Sequence, residues 1–360
     1  MTDSRQEQFT GTMEVREAHA FNVGALEAYM VENVDGFKGP LTVEQFKGGQ
    51  SNPTFMLSTP GKKYVLRRKP PGKLLKGAHA VDREYRVITA LGTIGFPAAK
   101  TYALCTDEDV IGTWFYIMDC VEGRIFWDTA FPEIEASERP QYFDAMNETM
   151  AALHMADYKA LGLEDYGRPG NYFARQIGRW SKQYLEDPDA GKFGEMDQLT
   201  QWLPENIPAG EDVSIVHGDY RCDNMIFHPT EPKVLAVLDW ELSTLGHPLA
   251  DFSYHLMMYR MPPIGTTGLL GNDLKAMNIP TEDAYLQAYC KRTGRDDIPP
   301  RDMDFYIAYN LFRLAAIVHG IQGRVVRGTA ASQHAKQMGA MCKPLGEIAW
   351  AQAQKAMAGA

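Results

Sequence analysis

Hydrophobic positions follow two different periods along the chain. In the first third they alternate with polar ones: "LTVEQF" (41–46), "PTFMLST" (53–59) after a Gly-Gly turn, and "KKYVLRRK" (62–69) after a Pro-Gly turn. A 3.6-residue period then takes over in "AVDREYRVITAL" (80–91), before two further alternating runs, "AKTYALCT" (99–106) and "TWFYIMDCV" (113–121). Alternation predicts half-buried strands and the longer period an amphipathic helix. The order predicts a small antiparallel sheet of five strands crossed by one helix. Ahead of it, Leu26, Tyr29, Met30 and Val34 fall at helical spacing in 23–34, and residues 1–20 read as a loose polar tail.

Beyond "EGRIF" (122–126) helical spacing dominates. It marks 139–158, 171–185, 282–292, 304–323 and 331–357, the last with Pro344 as a potential kink. Two short apolar runs, Ile215-Val216 and Val234 to Leu238, interrupt this region as β segments. The chain therefore divides into a β-rich lobe at 21–121 and a larger, mainly helical lobe at 122–360, hinged near Val121–Arg124; the class is α+β.

Composition narrows the function. A formal charge of −10 argues against a general binder of nucleic acid or anionic membrane. The amino terminus has no apolar signal core and no run reaches a membrane span. Five cysteines, with no C-x-x-C spacing, read as reduced thiols. These features predict a cytoplasmic protein and give no sign of a protein partner.

The chemistry concentrates in "SIVHGDYRCDNMIFHPTEPKVLAVLDWE" (214–241). His217, Asp219 and Asn224 have the spacing H-x-D-x-x-x-x-N, and Asp239 ends the second apolar run. Carboxylates at the ends of buried strands are costly unless they are used. Oxygen ligands from two adjacent strand ends suit a hard cation such as Mg²⁺, with Asp219 left to act as a base.

With "GGQSNPTF", "YVLRRKPPG", "DREYRVITAL", "HGDYRCDN" and "LDWELSTLGHPLADF", the sequence resembles the aminoglycoside phosphotransferase and choline kinase group, within the bilobal protein-kinase-like fold. More narrowly it is similar to the kinase-like domain fused to acyl-CoA dehydrogenases; no dehydrogenase is expected within these 360 residues. The resemblance implies an ATP- and Mg²⁺-dependent kinase of a small-molecule hydroxyl, with a hydroxyacyl group, carried on coenzyme A, as one candidate. It makes Asp219 the base, with Asn224 and Asp239 as Mg²⁺ ligands and His217 as a brace of the catalytic loop. Such chemistry asks mainly for positioning and charge neutralisation.

On the nucleotide side, Gly48, Gly49, Ser51 and Asn52 read as a phosphate-covering loop. Arg67 falls where the kinase pattern has a lysine, a departure that retains charge but changes shape. Glu84 is its expected ion-pair partner, and "MDCVEG" (118–123) is the lobe connector, with adenine expected on the Asp119 carbonyl and Val121 N–H. Asp251 is expected to anchor the catalytic loop, and His154, Trp180 and Tyr184 to pack in the core. Arg313 and His319 have no assigned place. No A-P-E follows Asp239, which disfavours a protein substrate. Two other classes stay open, a nucleotide-binding pseudokinase, favoured by the arginine, and a metal-dependent phosphohydrolase.

Overall fold

The alternating segments of the first third pair as predicted, with one strand more. A computed structural model describes residues 11–47, 52–72, 79–263, 267–330 and 335–359. The strands are β1 (Thr12–Met13), β2 (Thr42–Phe46), β3 (Thr54–Ser58), β4 (Lys63–Arg68), β5 (Thr101–Cys105) and β6 (Phe115–Asp119), in the order β1-β2-β3-β4-β6-β5 and antiparallel throughout. The extra strand lies in the expected tail. Thr12 and Met13 pair with Phe46 and Gln45, the Arg16 N–H donates to the Gln45 side chain, and the Gln45 amide lies 2.9 Å from a ring nitrogen of His19. Two residues of strand carry no readable period, so the sequence pattern missed it.

Helix α1 (Val23–Asn33) buries Leu26 and Met30 against one face of this sheet, with Phe55, Leu57, Leu66, Phe115 and Ile117. Asn22 caps it by accepting from the Ala25 N–H. Helix α2 (Val81–Gly92) contacts β5 and β6 and buries Val81, Glu84, Val87, Ile88 and Leu91. The spacing of these five residues is the predicted amphipathic stripe. Its one charged member, Glu84, is the feature that needs a reason.

The remaining helices are α3 (Glu108–Ile111), α4 (Arg139–Met155), α5 (Tyr172–Leu185), α6 (Gly194–Glu205), α7 (Pro248–Leu256), α8 (Glu282–Thr293), α9 (Pro300–Val326), α10 (Ala335–Gly339) and α11 (Cys342–Ala358). Helix α9 packs against α5, α7, α10 and α11, and α4 packs on α8. The single helix expected over 331–357 is two, because the chain breaks between Gly339 and Cys342. Pro344 then falls in the first turn of α11, where no N–H is required, and kinks nothing.

Among the described residues four short strands complete the fold: β7 (Ser214–Val216), β8 (Met225–Phe227), β9 (Val234–Val237) and β10 (Thr244–Gly246). The two apolar runs are not neighbours in one sheet, as the sequence suggested. β7 pairs with β10, and β9 with β8.

Compactness divides the chain into two units. The first comprises Met1–Phe131, Tyr158–Tyr166 and Arg221–Ser243; the second comprises Pro132–Asp157, Gly167–Tyr220 and Thr244–Ala360. The β8–β9 hairpin thus belongs with the six-stranded sheet, although it lies far beyond residue 121 in sequence. Paired bonds between Arg124 and Phe227 backbones, at 2.8 Å each way, stitch the connector to β8. Among the described residues no helix is long and apolar enough to cross a membrane, and all five cysteines are free.

Candidate functional site

In the first unit the central strand β4 carries the site's buried cation. Side chains alternate across a strand, so Arg67 and Arg68 part company. Arg68 lies on the α1 side, its guanidinium 5.2 Å from the Phe21 ring and 5.6 Å from that of Phe55. Arg67 turns to α2, where its Nε is 2.7 Å from Glu84 Oε2. The N–H is not aimed along that line, so the contact is an ion pair rather than an aligned hydrogen bond. Lys69, on the same face as Arg67, sits 3.9 Å from Asp82 and over the Trp114 ring.

Arg67 reaches further. Its Nη2 donates to Asp239 Oδ1 at 2.7 Å and lies 3.7 Å from Glu241 Oε2. One guanidinium therefore meets three carboxylates. Burial opposes its charge, but Glu84, Tyr116, Asp239 and Glu241 outweigh that and raise its pKa. Burial in turn raises the pKa of Glu84, against the pull of Arg67 and a bond from the Tyr116 hydroxyl. Glu241 was absent from the expected site; its only signal was its place two residues after Asp239.

Asn52 departs from expectation. It is fully buried, its amide nitrogen donates to Glu84 Oε1 at 2.9 Å, and its amide oxygen is 2.9 Å from a ring nitrogen of His79. Both ends of the amide are engaged inside the unit, so Asn52 supports Glu84 instead of presenting a donor to phosphate. Gly48, Gly49 and Ser51, the rest of the expected phosphate loop, lie outside the described residues. At the connector, the Asp119 carboxylate is 3.0 Å from Lys62 and accepts from Tyr102, while its backbone N–H bonds to the Lys100 carbonyl. Val121 follows two residues later in irregular backbone.

The expected metal ligands fall at one end of the β8–β9 hairpin. Met225 pairs with Val237, and the Leu238 N–H donates to the Asn224 carbonyl at 2.8 Å, which brings Asn224 and Asp239 to the same strand end. Asp239 adopts φ 61° and ψ 60°, a left-handed conformation that aspartate tolerates better than most residues. Trp240 pins the turn by burying its indole and donating to the Val237 carbonyl. Among the described residues no group of three His, Cys, Asp or Glu side chains is arranged to hold a metal. One carboxylate and one amide still fit Mg²⁺, which commonly completes its six positions with phosphate and water.

Asp219 stands in the second unit. Asn224 and Asp239 share a hairpin; Asp219 follows β7. Its loop is fixed by Asp251 of α7, whose carboxylate accepts from the backbone N–H of His217 at 2.6 Å and of Gly218 at 2.8 Å. Anchoring was the role expected of Asp251. His217 is fully buried and braces the loop by accepting from the Asp219 N–H through Nδ1. His154 is a core histidine between Asp251 and the Tyr289 hydroxyl. Arg313 donates to the Gly218 carbonyl at 2.8 Å, whereas His319 bonds to the Gly191 carbonyl beside Tyr184 and away from the loop.

Burial would raise the pKa of Asp251, but the bond and charge of His154 and the contacts with His217 bring it below the ordinary value. Asp251→Ala leaves two buried N–H groups without an acceptor. It is expected to cost about 2–6 kcal/mol, from about 1–3 kcal/mol per orphaned group, read from urea unfolding.

Acid acts on the same helix. His247 caps α7 by accepting from the Leu249 N–H through Nδ1, which requires a neutral ring. Burial lowers both His247 and His255 to about 4 from 6.5. Between those values the unfolded chain binds more protons than the folded one, so stability rises with pH from about 4 to about 6.5 and is lost on acidification. Titration of Asp251 adds a further loss below about pH 4. His247→Asn retains a capping acceptor without titrating and should flatten the slope measured by thermal unfolding; an unchanged slope would refute the assignment.

Known proteins resemble this chain in sequence and in fold. Residues 42–297 match the model of the phosphotransferase enzyme family APH. Acyl-CoA dehydrogenase family member 11 of Gallus gallus is 42% identical over 94% of this chain, which spans only 44% of that relative's length. A crystal structure from Ralstonia eutropha assigned to the aminoglycoside phosphotransferases superposes with a TM-score of 0.87 at 52% identity, covering 93% of this chain and 99% of the other. Choline kinase of Cryptosporidium parvum shares the fold, with a TM-score of 0.61 at 12% identity over 94% and 95% of the two chains. The fold is the bilobal, α+β kinase-like one, and the chain belongs to the APH phosphotransferase enzyme family.

Proposed function

We propose that this phosphotransferase uses ATP to phosphorylate a hydroxyl of a small molecule. The observation that supports it above others is Arg67, whose guanidinium pairs with Glu84 and reaches Asp239. A cation held between a buried helix carboxylate and a metal-binding aspartate is what anchoring nucleotide phosphates requires. In this reading residues 21–121 bind the nucleotide through Arg67, the Gly48-Gly49-Gln50-Ser51 loop and the backbone of Asp119 and Val121. Asn224 and Asp239 hold Mg²⁺, which would neutralise phosphate charge, and Asp219 orients the acceptor hydroxyl and takes its proton. Residues 122–360 supply the catalytic loop and the acceptor contacts.

The name of the Gallus gallus relative directs attention to acyl thioesters, and a hydroxyacyl group on coenzyme A is the acceptor class we infer. The test is ATP consumption with excess Mg²⁺ across hydroxyacyl thioesters, hydroxy acids, aminoglycosides, choline-like amines and sugars. It is paired with thermal shifts that should grow with ligand concentration. Saturable transfer to a hydroxyacyl thioester is the expected result. Tight nucleotide binding with no turnover on any acceptor would instead support a pseudokinase, the reading favoured by arginine in place of lysine.

A further inference from the structure

Nothing in the motif spacing singles out Tyr254, yet its hydroxyl donates to Asp219 Oδ1 at 2.5 Å. We propose that Tyr254 is a positioning residue for phosphate transfer, setting the rotamer of the base through this bond. The inference rests on the kinase reading.

Three observations converge on it. Tyr254 and Asp251 are three residues apart on α7, so they share one helix face. That face therefore fixes the catalytic loop twice, through the backbone of His217 and Gly218 and through the side chain of Asp219. The helix itself is rigidly seated, since all nine of its residues are buried. The ring of Tyr254 is held from its other side as well. The Arg313 guanidinium lies 5.2 Å from the ring centroid while donating to the Gly218 carbonyl. Arg313 has no carboxylate within ion-pair distance among the described residues, and its charge is set against phenols and Asp219.

The physical need is clear. A carboxylate that must meet an incoming hydroxyl at hydrogen-bond distance works only in the right rotamer. The backbone bonds fix where Asp219 starts, and its two side-chain torsions decide where the carboxylate points. A donor on one oxygen selects a single orientation, and a phenol does so without adding a second positive charge beside the base.

The experiment compares three variants by ATP consumption with excess Mg²⁺, using water as acceptor and then any acceptor found in the screen. Tyr254→Phe keeps the ring over Arg313 and deletes only the hydroxyl; Tyr254→Ala deletes both; Asp219→Asn reports on the base. The expected result is that Tyr254→Phe lowers the turnover number about 10- to 100-fold, the scale of a lost bond to a charged group. KM for ATP stays within about twofold, and the melting temperature stays close to that of the unmodified protein. Tyr254→Ala should be no slower than Tyr254→Phe by more than its loss of stability explains. If Tyr254→Phe turns over like the unmodified protein while Asp219→Asn is inactive, the positioning role is overturned and the kinase reading stands. If Asp219→Asn retains turnover, or the unmodified protein has none, both fall.

Discussion

Asp219→Asn is expected to lower ATP-dependent phosphate transfer by about 10²- to 10⁴-fold, the usual scale for losing a positioned general base. Nucleotide affinity, read by titration calorimetry with ADP, should change little. Asparagine keeps the size of the side chain and can still accept from Tyr254, so the loop bonds made by Asp251 and Arg313 stay in place. What it loses is the charge proposed to accept the acceptor's proton. A modest, twofold drop would mean that the loop holds a structural aspartate and that transfer does not use it.

The second large effect is on stability. Arg67→Ala should destabilise the protein by about 3–5 kcal/mol, the cost of leaving a buried charge without its partner. The stranded group is Glu84, 1% exposed, whose remaining partners, Asn52 and Tyr116, are neutral. Burial already raises its pKa, and without the guanidinium it should take up a proton at higher pH still. The loss in Arg67→Ala is therefore expected to be larger at high pH than at low. Arg67→Lys keeps one charge but cannot span Glu84, Asp239 and Glu241 with a planar fork; its deficits in urea unfolding and in nucleotide affinity should both be smaller than those of Arg67→Ala. Equal stability of Arg67→Ala and the unmodified protein would remove Arg67 from the centre of the site.

The strands of the sheet and the helix bearing Glu84 were legible because their periods are strong: five buried positions in α2 repeat at three and four residues. The Arg67–Glu84 pair was legible too, through spacing that the family resemblance supplied. Asn52 was misread because a loop asparagine and a buried amide look alike in sequence; only the positions of Glu84 and His79 tell them apart. Tyr254 and Glu241 were missed for a related reason. Their partners, Asp219 and Arg67, are 35 and 174 residues away, and no local pattern encodes a contact of that range. Strand pairing failed in the same way: β7 and β9 each read as apolar runs, but which strand each one meets is decided by tertiary packing.

The backbone passes from one compact unit to the other five times, after residues 131, 157, 166, 220 and 243. No single cut releases either body whole, and the link after Tyr220 separates the proposed base, Asp219, from the nearer proposed metal ligand, Asn224, within six residues. A gene fusion can therefore inherit the two units only as one uninterrupted cassette, and shuffling the amino-terminal sheet alone would leave the β8–β9 hairpin behind.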